Sequence, residues 1–214
     1  MRQLSFTRWV VPALFGIAAA TTGAHTASDF AAAASHPGTR VWLVALYSLL
    51  RTGVALAFAV FTVGRAAPRR PSRSPVAFVA CAAALAATIG FADPGRGTPE
   101  GVLVAGELVA VAFAVWLLVS VLFLGRCFGV LPEARGLVTK GPYRIIRHPI
   151  YLGYVVTHVS FLLSHPTLWN VLAIGSGDLA LVARALYEEQ ILTRDSAYAR
   201  YCATVKWRLV PGVY

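Results

Sequence analysis

Six apolar runs separated by polar segments dominate the pattern of this chain. They cover residues 9–24, 41–63, 76–91, 102–124, 150–163 and 167–186. A helix that crosses the hydrocarbon core of a bilayer needs about 20 consecutive apolar residues. The pattern therefore predicts an all-α, polytopic membrane bundle of about six apolar segments.

The fifth run, 150–163, is the shortest. Its 14 residues would form a helix of about 21 Å, which is short of the ~30 Å core. His165-Pro166 follows, and a residue before proline resists helical geometry. The last two runs are therefore predicted to form a helical hairpin with its tip at His165-Pro166. In an alternative with five spanning helices, the fifth run only dips into the bilayer.

Composition supports a membrane protein. Hydrophobic residues make up 57% of the 214 and charged residues 13%, whereas soluble domains carry roughly a quarter charged residues. Mean hydropathy is +0.66. The net charge of +10 would suit nucleic acid. However, the basic residues lie mainly in the gaps between apolar runs, so no nucleic-acid partner is expected.

The basic residues also predict an orientation. Fifteen lysines and arginines lie in the N-terminus, the second-to-third connection, the segment after the fourth run and the tail, while the opposite loops carry only Arg40 and Arg96. Basic loops stay cytoplasmic, so both termini are predicted to be cytoplasmic (in the inner or plasma membrane if the protein is bacterial). Alternatively, residues up to 24–27 could be a cleaved signal peptide, but its removal would spoil the charge alternation.

Residues 132–153 form a polar segment with several chemical signals. Pro149 fits the first position of a helix, with His148 as its cap. The free N–H groups of such a helix start attract anions. His148 and Tyr151 are three residues apart and can share a face. Gly141-Pro142 predicts a tight turn, and Gly153 would allow a close approach. The alternative is that the basic residues here only anchor the chain to lipid headgroups.

Arg184 and Glu188 lie four residues apart at the inner end of the last apolar run. They could be an ordinary surface ion pair, although Arg before Glu is the poorer orientation for one. Ionisable residues near the bilayer are expensive and tend to be functional. Both residues are therefore candidates for a site.

Three ordered motifs resemble the signature of isoprenylcysteine carboxyl methyltransferases and related membrane phospholipid methyltransferases. They are Leu-Val-Thr-Lys-Gly-Pro-Tyr at 137–143 with Arg-His-Pro-Ile-Tyr-Leu-Gly at 147–153, Arg-x-x-x-Glu-Glu at 184–189, and a Tyr-x-x-Tyr…Val…Arg…Pro tail from 198. The resemblance covers about 125–214. It divides the chain into membrane helices at 1–124 and a methyltransferase region at 125–214. Asp195-Ser196 replaces the family's frequent Phe-Gly pair, which puts the local turn in doubt.

The resemblance implies an S-adenosylmethionine-dependent methyltransferase with its cofactor pocket on the cytoplasmic side. By position, the implied cofactor contacts are Arg135, Gly136, Leu137, Val138, Tyr143, His148, Pro149, Ile150, Tyr151 and Glu188. Arg184 would face the methyl acceptor, and Glu189 is a possible base. Methyl transfer requires no metal, and the three cysteines form no zinc-like spacing. Neither a metal nor a disulfide is expected.

The residue types also bear on the methyl acceptor. A carboxylate is already ionised at pH 7 and needs only a cation, whereas a phospholipid amine must first lose a proton, which arginine cannot take. Arg184 therefore favours a carboxylate on a lipophilic or small molecule. A phospholipid amine and a small thiol stay open. So do a non-enzymatic binding or assembly protein on the same fold, and a small transporter using Arg51, Glu107 and Asp178. A structural ion pair between Arg51 and Glu107 would account for these two residues more simply than a transport pathway.

Overall fold

The computed structural model describes residues 2–64, 98–128 and 136–213, and their regular structure is entirely helical. The helices are α1 (Arg2–Ser35), α2 (Thr39–Val63), α3 (Glu100–Leu124), α4 (Pro149–Ser164), α5 (Leu168–Leu192) and α6 (Ser196–Thr204). Short 3-10 turns cover Gly125–Cys127 and Gly141–Arg144. The all-α class is confirmed for these residues. The run at 76–91 and Arg135 lie outside them.

Two of the described helices are long and apolar enough to cross a membrane. They are Thr39–Val63, with a hydropathy of 1.9, and Glu100–Cys127, with 2.7. Helix α4 is shorter, at 16 residues, and would extend over about 24 Å. Its shortness agrees with the sequence analysis, while the six-segment topology and its orientation stay predictions.

The first three described helices pack around an aromatic and aliphatic core. Phe15 of α1 lies 5.1 Å, ring to ring, from Phe58 of α2. Phe58 in turn packs with Leu117 and Val121 of α3 in one buried cluster. This cluster forms the wall on which the later hairpin rests.

Helix α4 approaches α3 closely at Gly153. A Cβ atom added there would lie 3.0 Å from the Cβ of Leu117, so the predicted role of Gly153 in close packing is confirmed. One turn earlier, the indole N–H of Trp116 donates a 2.9 Å hydrogen bond to the carbonyl of Pro149. These two contacts fix the start of α4 against α3.

Helices α4 and α5 form an antiparallel hairpin. The chain turns between Ser164 and Leu168, as predicted from His165-Pro166. Thr167 caps α5 by accepting the backbone N–H of Asn170, whose side-chain amide donates to the carbonyl of His165. The turn is therefore held by its own polar groups.

The turn that the Asp195-Ser196 departure put in doubt is well formed. The Asp195 carboxylate accepts the backbone N–H of Ala197 at 2.9 Å and caps α6. Aspartate is a favoured residue at this position. The helix therefore begins at this turn with an aspartate cap in place of the family's Phe-Gly pair.

Candidate functional site

The polar segment before α4 folds as a tight turn under α3. Gly141 has a φ of +58°, and a Cβ atom there would lie 2.8 Å from the ring of Phe123. Only glycine combines that backbone conformation with such a close neighbour. The following turn buries Tyr143 and completely buries Ile146. The predicted Gly-Pro turn is confirmed.

The C-terminal segment after α6 closes over this turn. The backbone N–H groups of Arg147 and His148 donate to the carbonyls of Trp207 and Arg208, each at 2.9 Å. The Tyr201 hydroxyl donates to the carbonyl of Tyr143 at 2.7 Å. Burial raises the pKa of both Tyr143 and Tyr201, which keeps these phenols neutral. The tail therefore holds this turn in place, and Tyr198 and Tyr201 of α6 line the cavity described below.

Helix α4 begins at Pro149 with His148 at the cap position, as predicted. The His148 side chain makes no capping hydrogen bond. It stacks instead on the ring of Tyr151, with centroids 5.2 Å apart and planes at 7°. His148 Nε2 lies 3.2 Å from Oε1 of Glu189.

Glu189 is the centre of a buried ion cluster. Its Oε1 lies 3.0 Å from Nη1 of Arg147, and its Oε2 accepts a 2.8 Å hydrogen bond from Nε of Arg208. Burial alone would raise the pKa of Glu189. The hydrogen bonds from His148 and Arg208 and the neighbouring charges outweigh burial and lower the pKa to about 2. Such a carboxylate is a weak base, which favours a structural role for Glu189.

Glu188, the adjacent carboxylate, faces a different way. Its Oε2 accepts a 2.6 Å hydrogen bond from the hydroxyl of Tyr151. The guanidinium carbon of Arg184 lies 5.6 Å from the centre of the Tyr151 ring, within cation–π range. Tyr151 therefore links the two candidate residues of α5.

These groups open onto a cavity of about 420 Å³, within the usual range for small-molecule sites. Arg184 lines this cavity. So do all nine described residues that the resemblance assigned to the cofactor: Gly136, Leu137, Val138, Tyr143, His148, Pro149, Ile150, Tyr151 and Glu188. Glu189 is not among the lining residues. The tenth assigned residue, Arg135, lies outside the described part of the chain.

Several residues of this cavity were not assigned to the cofactor site from the sequence. Tyr47 and Arg51 reach it from α2, Tyr154 and His158 from α4, and Tyr198 from α6. Their positions depend on how distant helices pack, and no local motif indicates this. Within the described ranges, no three side chains of histidine, cysteine, aspartate or glutamate are grouped as a metal site would need; the metal-free expectation stays a prediction.

A sequence model of the phospholipid methyltransferase family matches residues 101–199. This region includes α3, the hairpin and the start of α6, and therefore His148, Arg184 and Glu188. No curated protein matches the chain.

Proposed function

We propose, from the match of residues 101–199 to the phospholipid methyltransferase family, that this chain is a membrane enzyme transferring the methyl group of S-adenosylmethionine to a lipophilic acceptor. The observation that carries the proposal is that one cavity brings the described candidate cofactor residues together with Arg184. These residues come from segments up to 52 positions apart in the sequence.

The residues around the cavity suit the proposed cofactor. When bound, it supplies an electrophilic methyl group on a sulfonium. The aromatic faces of Tyr143 and Tyr151 suit a sulfonium cation. The helix start at Pro149 and the nearby basic groups suit a carboxylate. Glu188 is a hydrogen-bond acceptor for ribose hydroxyl or amino groups. Catalysis on this plan is mainly positioning.

Arg184 is the proposed contact for the acceptor. It lies between Tyr151 and the apolar half of α5, where an amphipathic molecule would enter from the bilayer. An isoprenylcysteine-type carboxylate would receive the methyl group while held by Arg184, and no base would be needed. A small ionised thiol would react similarly.

A phospholipid amine is the second acceptor class, and the family match favours it. Its phosphate would occupy Arg184 while the neighbouring nitrogen receives the methyl group. This acceptor requires a base, and the low pKa of Glu189 makes that residue a poor one. On either reading, we place the site at the cytoplasmic face, with the region from 125 onward as the methyltransferase part.

Calorimetry with S-adenosylhomocysteine on detergent-solubilised protein tests the proposal. We expect saturable binding at one site, together with transfer of labelled methyl groups to a lipid extract. Ser176→Ala, on the exposed face of α5, is the control and should behave as the unaltered protein. An intact, folded protein without binding heat would instead support a non-enzymatic binding or assembly role.

A further inference from the structure

His158 of α4 and Asp178 of α5 form a close polar contact between the hairpin tip and the candidate cofactor residues. Nδ1 of His158 lies 2.7 Å from Oδ1 of Asp178, and the side chains are only 16% and 20% exposed. Ionisable side chains are expensive within apolar membrane helices and tend to have a function there. Nothing in the proposed cofactor site uses this pair.

His158, but not Asp178, lines the same cavity as the cofactor residues. His158 lines the cavity together with Tyr154, one turn earlier on α4, and their ring centroids are 6.1 Å apart. Because Nδ1 faces Asp178, Nε2 lies on the opposite side of the ring. A carboxylate at Nδ1 favours the tautomer that keeps the proton there and leaves Nε2 as an acceptor.

An amine acceptor needs such a group. An ammonium has no lone pair, and amines of this type, like lysine, are mostly protonated at pH 7. Of the two carboxylates near the cofactor residues, Glu189 is held by Arg147, His148 and Arg208. Glu188 accepts the Tyr151 hydroxyl. His148 also lines the cavity, but it is assigned to the cofactor and its Nε2 contacts Glu189. His158 is the other histidine among the described lining residues, and its contact with Asp178 through Nδ1 leaves Nε2 to accept a proton.

The charges around the pair favour the same chemistry. Arg51 of α2 and Arg184 of α5 line the cavity, and both act electrostatically on Tyr154. Two nearby cations disfavour a third on the acceptor and promote loss of its proton. Asp178 offsets the charge that His158 gains when it accepts that proton.

We propose that His158 is the general base that deprotonates an ammonium acceptor, with Asp178 as its positioning residue. The inference rests on the proposed methyltransferase function. Nε2 of His158 accepts a proton from the ammonium, directly or through one water. The freed nitrogen lone pair forms the new N–C bond as the sulfur–methyl bond breaks. The electrons of that bond stay on sulfur, and His158 then releases its proton to water.

A contrast between two amine acceptors tests this role in His158→Gln. The first acceptor is phosphatidylethanolamine in phosphatidylcholine vesicles. The second is the aminooxy analogue of the same lipid, whose terminal –O–NH2 nitrogen is neutral at pH 7 and needs no base. We expect kcat on the first to fall on the order of 10²–10⁴-fold with KM little changed. Most of the rate should return on the second, and Asp178→Asn should show a smaller loss with the same recovery.

The main alternative is that the His158–Asp178 contact is a structural clasp, which only holds the two helices of the hairpin together. A clasp predicts equal losses on both lipids, and this result, or unchanged activity, would overturn the proposal. Transfer by the unaltered protein only to a prenylated cysteine carboxylate would overturn it too. His165→Gln removes a histidine from the hairpin tip and should retain full activity. S-adenosylhomocysteine calorimetry on each variant separates this role from the proposed function, because binding should survive in both His158→Gln and Asp178→Asn.

Discussion

The rings of His148 and Tyr151 are stacked one turn apart, and each holds one of two consecutive carboxylates on the facing helix. His148 contacts Glu189 at 3.2 Å, and Tyr151 donates to Glu188 at 2.6 Å. Glu189 also accepts the Arg208 guanidinium from the tail, whereas Glu188 lines the cavity. One pair of carboxylates therefore serves two purposes, one in assembly and one in the proposed cofactor site.

Glu188→Ala is expected to weaken S-adenosylhomocysteine binding. Loss of a hydrogen bond to a charged group costs about 1.5–3 kcal/mol, or roughly 10- to 150-fold in affinity. Gln190→Ala, at an exposed position of the same helix, should leave the affinity unchanged. His148→Ala should also weaken binding. Unaltered affinity in both the Glu188 and His148 variants, with the fold intact, would remove these residues from the site.

Arg184→Lys is expected to separate acceptor handling from cofactor binding. Lysine keeps the charge and can keep a cation–π contact with Tyr151, but it loses the planar two-pronged grip on an anion. We expect turnover to fall about 10- to 100-fold, since that grip is a charged hydrogen bond, while S-adenosylhomocysteine affinity stays near normal. Lost affinity would move Arg184 to the cofactor site, and normal turnover would reject its acceptor role.

Glu189 should make stability depend on acid pH. Its folded-state pKa of about 2 lies below its ordinary 4.5, so its contribution is present above about pH 4.5 and is lost as the pH falls towards 2. The contribution is on the order of 3 kcal/mol. Thermal unfolding of Glu189→Gln in detergent should show a lower Tm at neutral pH and a shallower acid dependence. The exposed Glu100→Gln should change the Tm little.

Gly153→Ala is expected to destabilise the protein by about 1–3 kcal/mol, because the added methyl group would overpack the contact with Leu117. Gly175→Ala is the matched control, since a Cβ atom there meets nothing within 4 Å. Alanine should be neutral or favourable by about 0.5–1 kcal/mol at that helical position. Equal Tm values for the two variants would contradict the close approach of α3 and α4.

Local patterns predicted the parts of this site that depend on neighbouring residues. The helix start at Pro149, the shared face of His148 and Tyr151 and the hairpin tip each follow from spacing within one turn or from proline geometry. The Arg147–Glu189–Arg208 cluster was not predicted, because its members come from three separate segments. The approach of Tyr47 and Arg51 to the cavity also depends on the packing of distant helices.

The orientation of the chain stays a prediction, based on the asymmetry of basic residues between loops. A reporter fused after Tyr214 should be active only if it functions in the cytoplasm. Activity of a reporter that requires the opposite side of the membrane would reverse the orientation and move the proposed cofactor site away from the cytoplasm.

Three polar contacts join the two helices of the hairpin: His148 with Glu189, Tyr151 with Glu188, and His158 with Asp178. An extra residue between Asp178 and Glu188 would rotate the end of α5 by about 100° and separate both carboxylates from their partners. An extra residue at the tip could loop out without disturbing any of the three contacts. Insertions and deletions should therefore be tolerated at 165–167. Within the two helices they should be harmful, even next to positions where single substitutions have no effect.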